Sequence, residues 1–479
     1  MASFVPDGQA GLLRSPSRSR ICDVSAFVEG SDLRAPSSDA ISTRVSRFID
    51  WLVHYGETSY DHQSFFAGPI GGRAKSLYYR SPVLGVMAVA PMILCEAFFP
   101  ATRQLFWHRQ RFPIADAHYA MGFASLARLT GESKYYDQAV HFLTVLEGTR
   151  CPGYREFCWG YPFDWVTRTG VMAADTPLIT TTPYVYEAFS DVHRIDGKQR
   201  WLDVMESTAR HAANDIKDRE VSPDAATAGY NPLDSQGGVV NASAYRAFLL
   251  MRAAADLSRD DYRRTAERNL NYVLGAQQAD GSWFYATDGV RNFVDHFHTC
   301  FVLKALAKIE ALTGHARCSR AIEAGVAYYV RNLFDDQGLP KPFAAAPRLT
   351  VYKRELYDYA ECINLATLLR GRFSALDERL QTTLSDLLNH WQKPDGSFRA
   401  RRLLLGWDNV PMHRWAQAQL FRSLSLLLGA LEAAYGAPEQ RSAAAVVPAP
   451  SLQVAGLAHT CVSLDTSPLC AASAVNTIS

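Results

Sequence analysis

A helical hairpin recurs about every 60 residues along this sequence, and that repeat limits what the chain can fold into. Each repeat ends a largely apolar segment at a short break and then begins a more charged, amphipathic segment. The breaks carry Gly131, Gly197, Ser258, Gly314 and Ser374. A two-helix unit with a fixed period is typical of stacked helical architectures, because one unit alone cannot bury its apolar face.

The two helices of each repeat differ in polarity, which predicts where each lies. The apolar helices are expected at 114–130, 180–196, 239–257, 293–313 and 355–371, and the amphipathic ones at 134–148, 199–216, 259–276, 316–333 and 375–392. An apolar helix at about 412–435 and an outer helix at 43–55 complete the set. Helices that are apolar nearly all round belong inside. We therefore predict an all-α fold, an α/α toroid (barrel) of six or seven helical hairpins; an open solenoid is the alternative.

The toroid is expected to span residues 41–436, between two tails. Residues 1–40 have no apolar period and are predicted to be a disordered N-terminal tail, and 437–479 a low-complexity C-terminal tail. The start of the chain has no apolar signal region. The apolar stretch from Val83 to Leu94 contains Pro91 and is too short to span a bilayer, so it is predicted to be a core helix. No transmembrane segment and a cytoplasmic location are expected.

Charge and cysteine content exclude several classes of protein. The 49 Lys and Arg residues are balanced by 48 Asp and Glu residues, so no field would attract nucleic acid. Nine cysteines are scattered without a CxxC pair, and Cys151 and Cys158 are the closest two. We expect reduced thiols, no metal site and no cofactor.

The lengths of the links predict the position of a functional site. Links from an apolar to an amphipathic helix are two to five residues long, whereas the return links are long, at about 149–179, 217–238, 277–292, 334–354 and 393–411. In a closed ring all the long links emerge on one face, together with the N-termini of the inner helices. Long loops on a rigid scaffold commonly carry binding and catalytic residues.

The first long link has the composition of a sugar-binding wall. It contains Trp159, Tyr161 and Trp165, whose faces can stack on sugar rings, and Arg168, which can bind hydroxyls or a carboxylate. Asp164 is a candidate catalytic acid. The alternative is that the aromatic side chains only anchor the loop to the barrel.

The fourth inner helix begins with a candidate acid/base pair. Asp295 and His298 are three residues apart and share a helix face, while His296 points elsewhere. A carboxylate can orient an imidazole for proton transfer. A zinc site with Cys300 and a structural polar network remain alternatives. Asn241, at the start of the third inner helix, is a candidate for substrate binding or an N-cap.

Further candidates lie at the starts of the fifth and sixth inner helices. Glu355, Asp358 and Tyr359 are candidate catalytic residues, since paired carboxylates suit glycoside hydrolysis. The alternative is that acids favour the first turn of a helix through its dipole. Tyr357 and Arg414 are predicted to bind substrate.

Four segments carry a family resemblance: QQADGSWFY, VDHFHTCFVLKAL, WGYPFDW and PMHRWAQAQ. Over about residues 110–430 the chain resembles helical-toroid proteins found with bacterial cell-surface polysaccharide genes. Those proteins are labelled squalene-cyclase/prenyltransferase-like, or mislabelled as aminolaevulinate dehydratases. The resemblance implies an α/α toroid and a role in cell-surface polysaccharide metabolism, but it transfers no catalytic residue.

Two labels attached to that family conflict with this sequence. A squalene-type cyclase needs a DxDD-like acidic cluster, which no predicted inner helix has, and Asp260 with Asp261 falls on an outer helix. A dehydratase of the aminolaevulinate type implies a β/α barrel, which the helical repeat contradicts.

The sequence thus predicts a carbohydrate-active enzyme acting on a polysaccharide or oligosaccharide that contains uronic acid, as a lyase, epimerase or glycoside hydrolase. Removing the proton beside a carboxylate needs a cation and a Tyr or His base, whereas hydrolysis needs two carboxylates. The alternatives are a non-catalytic glycan-binding or assembly component and, less favoured, a terpenoid cyclase-like enzyme.

Overall fold

Helices in two layers account for most of the described chain. The computed structural model describes residues 37–168, 170–346 and 350–435, and the described residues up to Glu432 belong to one unit. Within these ranges the inner layer consists of α5 (Pro113–Thr130), α7 (Thr182–Asp196), α9 (Val240–Leu257), α11 (His296–Thr313), α13 (Leu356–Leu368) and α15 (Ala418–Tyr435). The outer layer consists of α1 (Ser38–Tyr55), α6 (Ser133–Gly148), α8 (Gln199–Arg210), α10 (Asp260–Gly275), α12 (Ala316–Asn332) and α14 (Ser374–Asp386). Three further helices form an insertion: α2 (Ser64–Ala67), α3 (Pro69–Arg80) and α4 (Pro82–Phe98).

The inner helices pack side by side, and the ring closes between the last and the first. Helix α5 packs on α7, α9 on α11, and α11 on α13. The Ser423 Oγ of α15 donates to the Ala360 carbonyl of α13 at 2.8 Å, and the Phe421 ring lies 4.8 Å from that of Phe123 on α5. The predicted all-α toroid is confirmed, with six inner and six outer helices among the described residues.

The predicted breaks end the inner helices in the left-handed conformation. Gly131, Gly197, Ser258 and Gly314 have φ angles of 72°, 65°, 54° and 66°. Each donates its backbone N–H to the carbonyl four residues earlier, which satisfies an otherwise unpaired helix end. Ser374 differs, because α13 ends at Leu368 and Ser374 is already the first residue of α14.

The long links and the N-termini of the inner helices lie on one face of the ring, which we call the mouth. Short antiparallel strands stiffen these links: β1 (Trp165–Thr167) pairs with β2 (Gly170–Met172), β3 (Asp218–Ser222) with β4 (Ala225–Ala228), β5 (Val294–Asp295) with β6 (Phe343–Ala345), and β7 (Tyr352–Glu355) with β8 (Arg401–Leu403), which also pairs with β9 (Trp407–Asp408).

The Asp-Gly turn that follows α10 ties neighbouring outer helices together. The Trp283 indole donates to the Val273 carbonyl at 2.9 Å, and the Gln277 amide donates to the Ala321 carbonyl of α12 at 2.9 Å. Gly281 has a φ of 93° and passes so close to α12 that a Cβ would lie 2.3 Å from the Ala324 oxygen. Gly396 has a φ of 96°, and a Cβ there would likewise lie 2.3 Å from the Arg47 oxygen of α1.

Replacing Gly281 by Ala should therefore destabilise the protein. The left-handed backbone alone costs about 1–3 kcal/mol for a residue with a Cβ, and the clash with Ala324 adds to this. The control is Gly148→Ala, where a Cβ meets nothing within 4 Å. Denaturant unfolding should show a lower free energy of unfolding for Gly281→Ala only. Equal stability of the two variants would contradict this account of the turn.

The insertion corrects two predictions. The stretch from Val83 to Leu94 lies in α4 at the surface, not in the core: Val83 is 73% exposed and Met87 69%. None of the helices in the described ranges is both long and apolar enough to cross a bilayer. Residues 38–40 belong to α1 and not to the predicted tail, whereas 1–36 and 436–479 lie outside the described residues.

Three ion pairs hold the insertion against the mouth. Asp61 pairs with Arg414 at 2.6 Å, Glu96 with Arg401 at 2.6 Å, and Arg103 with Asp408 at 2.7 Å. The side chains of Asp61, Arg103 and their partners are almost fully buried, and the Glu96 side chain is 13% exposed. Breaking such a pair would leave a charge without compensation.

Candidate functional site

A continuous set of aromatic rings crosses the inner helices below the mouth. Neighbouring ring centroids are 4.7 to 5.7 Å apart. We call this set the aromatic belt: Tyr184, Tyr245, Phe301, Phe297, Tyr357 and Trp415. Phe297 on α11 lies 5.5 Å from Trp415, which precedes α15, although α13 separates those two helices. Such a contact is possible only across the lumen, so the belt faces the inside of the ring.

The predicted pair of Asp295 and His298 forms at the mouth. Asp295 is the N-cap of α11: its Oδ1 accepts from the His298 backbone N–H at 2.9 Å, and its Oδ2 lies 2.6 Å from His298 Nδ1. Asp295 is buried, while 22% of the His298 side chain is exposed. Within the described residues no hydrogen bond uses His298 Nε2. The Asp295 carboxylate therefore favours the tautomer of His298 with a proton on Nδ1. In that tautomer Nε2 is unprotonated and can accept a proton from a ligand at the mouth.

A small pocket adjoins this pair. Asn241, at the start of α9, lines it together with Asp295, His298 and Tyr285. Asn241 is 2% exposed, and its Oδ1 has no hydrogen-bond partner within the described part of the chain. The Tyr285 ring lies 4.7 Å from that of His298, and burial raises the pKa of Tyr285 to about 12. A buried amide oxygen without a partner is a ready acceptor for a ligand hydroxyl.

Arg414, predicted to bind substrate, is already paired with a carboxylate. Its Nε and Nη2 atoms bind the two carboxylate oxygens of Asp61 at 2.9 and 2.6 Å. Burial by itself would raise the pKa of Asp61, but the Arg414 charge holds that pKa below its usual range. The guanidinium also lies 4.4 Å from the centre of the Tyr161 ring. Arg414 thus positions Tyr161 at the mouth and is not free to bind a substrate carboxylate.

Glu355 is likewise committed to other side chains. Its Oε1 accepts from Arg401 Nε at 2.5 Å and from the Trp415 indole at 2.7 Å. Trp415 has non-helical backbone angles (φ −134°, ψ 65°) at a kink just before α15. The kink and the bond to Glu355 together direct Trp415 into the belt. Glu355 acts here as a positioning residue and not as an exposed catalytic acid.

Asp358 is enclosed and does not reach the mouth. It is 0% exposed, and neither carboxylate oxygen has a hydrogen-bond partner among the described residues. Burial first, and then the nearby charge of Glu355, raise the pKa of Asp358 well above its usual value. This environment favours the protonated form of the carboxyl group.

Four other predicted residues make no hydrogen bond, ion pair or ring contact with Asp295 or His298 among the described residues. Tyr359 points outward, where its hydroxyl donates to Asp386 at 2.7 Å. Trp159 is fully buried and donates to the Leu146 carbonyl, so it anchors the loop to α6, as the alternative interpretation held. Asp164 is exposed and accepts from the Ala174 N–H at 2.9 Å. Arg168 is exposed at the turn between β1 and β2.

The remaining predicted residues lie at the mouth or in the lumen. Tyr357 belongs to the belt, and the half-buried rings of Tyr161 and Trp165 contact each other at 5.6 Å. Within the described ranges no group of three His, Cys, Asp or Glu side chains is placed to hold a metal ion.

A buried charge network below the belt was not predicted. Lys304 pairs with Glu361 and lies 3.5 Å from the Tyr184 hydroxyl, and Lys308 pairs with Glu187 at 2.5 Å. Burial lowers the pKa of Lys308 to about 8. The sequence did hold a signal, because charged residues in the middle of apolar inner helices must find partners across the lumen.

His62, just before the insertion, is a further residue beside the site. The His62 ring lies 4.6 Å from that of Trp415, beside the belt. Burial lowers the pKa of His62 well below its usual value, so the ring is neutral at pH 7. Its position depends on the ion pair between Asp61 and Arg414, which no local pattern reveals.

Comparison with known proteins shows the fold. No protein-family model matches the sequence, and no curated protein matches it. Among solved structures, a cellobiose 2-epimerase from Bacillus thermoamylovorans has a TM-score of 0.54 at 8% identity, over 67% of this chain and 88% of that chain. A glycosyl hydrolase family 88 protein from Bacteroides vulgatus has a TM-score of 0.52 at 8% identity, over 83% and 99%. A GH76 α-mannanase from Bacteroides thetaiotaomicron has a TM-score of 0.51 at 10% identity, over 68% and 88%.

These neighbours are carbohydrate-processing enzymes built on an α/α toroid, and at such low identity the likeness extends to the fold alone. A structural link to squalene cyclases is not shown. The function of this chain is therefore inferred from the residues at its own mouth.

The state of Asp358 can be tested through pH. Its pKa is near 3.8 when unfolded and well above that when folded, so between these values only the unfolded state loses the proton. The free energy of unfolding then falls as pH rises, by up to about 1.4 kcal/mol per pH unit. Asp358→Asn removes this contribution and should flatten the dependence from about pH 4 upward. Asp137→Asn, on the exposed face of α6, is the control. An unchanged slope in Asp358→Asn would show that Asp358 is ionised.

Proposed function

We propose that this protein is a carbohydrate-active enzyme that moves a proton at a sugar carbon through His298, with Asp295 as its positioning partner. The observation that carries the proposal is the 2.6 Å contact between Asp295 Oδ2 and His298 Nδ1 at the mouth. The adjoining belt and the Asn241 oxygen offer stacking faces and a hydrogen-bond acceptor for a sugar. The carbohydrate-processing enzymes that share the toroid support the substrate class by analogy of fold.

The chemistry follows from the free ring nitrogen. Nε2 of neutral His298 accepts a proton from a carbon beside a carbonyl or carboxylate group, and the electron pair of the C–H bond moves into that group as an enolate. The Asp295 carboxylate stabilises the imidazolium that forms. Returning a proton to the opposite face gives an epimer. Expelling the oxygen on the next carbon, which leaves as a hydroxyl after protonation, gives an elimination.

Hydrolysis has less support from the arrangement of acids. An inverting or retaining glycosidase needs two carboxyl groups facing each other across the scissile bond. Glu355 is held by Arg401, Asp358 is enclosed, Asp295 is bound to His298, and Asp164 is exposed on the loop. We therefore propose a lyase or an epimerase in cell-surface polysaccharide metabolism.

The uronic-acid part of the proposal now depends on Arg168. Arg414 was the other candidate for binding a substrate carboxylate, and it is occupied by Asp61. Arg168 is exposed on the β1–β2 turn. A neutral glycan with a reactive carbonyl is the alternative substrate.

We expect His298→Ala to lose about 10²–10⁴-fold of the rate of proton exchange, the range typical of a general acid or base. The protein is incubated in deuterated water with uronic-acid polymers and with neutral oligosaccharides, and deuterium at sugar carbons is followed by NMR while unsaturated products are followed by absorbance. Asp295→Asn should give a partial loss, because its amide can hold the wrong imidazole tautomer.

His390→Ala is the matched control, since His390 is exposed on the outer layer and pairs with Asp386 in the same carboxylate–imidazole manner. Folding of every variant is checked by thermal unfolding. Deuterium exchange at the wild-type rate in folded His298→Ala would contradict the catalytic proposal. Saccharide binding without any exchange in the wild type, weakened by Trp415→Ala, would favour the non-catalytic glycan-binding alternative.

A further inference from the structure

The helical hairpin of α3 and α4 presents a large apolar surface that no described residue covers. We call residues 69–98 the apolar hairpin. Several of its large apolar side chains are mostly exposed: 74% for Ile70, 73% for Val83, 58% for Leu84, 69% for Met87 and 57% for Leu94. Phe98 and Phe99 at the end of α4 are 45% and 67% exposed. Contiguous apolar surface of this kind marks a site of interaction.

The exposed positions cover a wide part of α4. At 100° per residue, Val83, Leu84, Val86, Met87 and Leu94 spread over about half of the helix circumference. Val83, Val86 and Met87 alone would form the stripe at i, i+3 and i+4 by which a helix docks into a protein groove. Leu84 lies about 60° outside that stripe, and Ile70 and Leu77 of the neighbouring α3 are exposed as well, so the apolar surface is broader than one stripe.

The exposed charged side chains of the insertion are positive. The one acid of the insertion, Glu96, is paired with Arg401 of the mouth, and Asp61 just before it is paired with Arg414. Arg73 and Arg80 of α3 are exposed cations. Two exposed tyrosines, Tyr78 and Tyr79, lie beside Arg80. Cations and amphipathic rings next to apolar side chains are the composition of protein surfaces that contact anionic lipid headgroups.

Close helix packing and buried ion pairs hold the backbone of the apolar hairpin in place. Gly85 lets α4 approach α3 so closely that a Cβ there would lie 2.2 Å from the Tyr78 Cα. Glu96 and Arg103, on either side of the end of α4, are pinned by buried arginine and aspartate partners. The exposed side chains therefore remain outside because the backbone holds them there.

We propose that the apolar hairpin docks on the surface of a membrane that contains anionic lipids. Val83, Leu84, Met87 and Leu94 enter the boundary between headgroups and acyl chains, and Arg73 and Arg80 contact the headgroup phosphates. The contact is interfacial: α4 has 17 residues, and its end is tied by Glu96 to the mouth. Since the ion pairs join the hairpin to the mouth, docking brings the mouth close to the bilayer. The inference does not depend on the proposed catalytic role of His298.

The test measures how the full-length protein partitions onto vesicles. Phosphatidylcholine vesicles with and without phosphatidylglycerol are sedimented with the protein at low and high salt. We expect binding to the anionic vesicles that weakens with salt. Leu84→Asp and Met87→Asp should each reduce binding by more than about tenfold, since each removes a buried apolar side chain. Arg73→Gln and Arg80→Gln should each reduce it by about fivefold.

Leu368→Asp is the matched control, because Leu368 is 42% exposed at the end of α13, on the opposite face from the mouth. It should bind like the wild type, and thermal unfolding confirms that each variant is folded. Three results would overturn the proposal. One is no binding of the wild type to anionic vesicles. Another is a dimer in analytical ultracentrifugation that Met87→Asp abolishes, which would assign the surface to a second copy. The third is binding that appears only after deletion of 436–479, which would assign it to that segment.

Discussion

The contact between the first and the last inner helices closes the ring, and the lumen and mouth exist only because it forms. Gly122 on α5 leaves room for the Phe421 ring of α15, since a Cβ at Gly122 would lie 2.5 Å from that ring. The Ser125 hydroxyl donates to the Ser425 carbonyl across the same seam at 3.2 Å. Close packing of this kind is sensitive to a single added methyl group. With the seam closed, side chains from helices that are not neighbours, such as Phe297 and Trp415, meet inside.

Closure also explains why polar groups are tolerated at the starts of apolar helices. Asp295 caps α11 and binds the His298 imidazole with its other oxygen, so one carboxylate satisfies a helix end and orients a candidate base. Glu355 similarly holds Arg401 and the Trp415 indole. Charges deeper in the ring find partners across the lumen, as Lys308 does with Glu187. The enclosed Asp358 differs from these residues, because neither of its carboxylate oxygens has a hydrogen-bond partner among the described residues.

Local signals in the sequence were sufficient for the fold and for part of the site. Glycines at the breaks predicted the helix ends, because only a left-handed cap lets two helices turn back within two residues. The spacing of three residues predicted that Asp295 and His298 meet. Local signals could not show pairing between distant residues: Asp61 and Arg414 are separated by 353 positions, so the sequence did not reveal that Arg414 is paired with Asp61. The hydrophobic composition of α4 also led to the wrong prediction that it is a core helix, because an apolar helix at a surface has the same composition as one in a core.

The account rests on His298 presenting a free Nε2 to the mouth, and NMR of histidine side chains measures this most directly. In protein labelled with ¹⁵N at histidine, the His298 signals are assigned by their loss in His298→Gln. In the neutral ring we predict a proton on Nδ1, bound to Asp295, and an unprotonated Nε2. The Nε2 resonance should shift when a saccharide substrate is added. A proton on Nε2 together with an Nε2 signal that no saccharide changes would contradict the central claim.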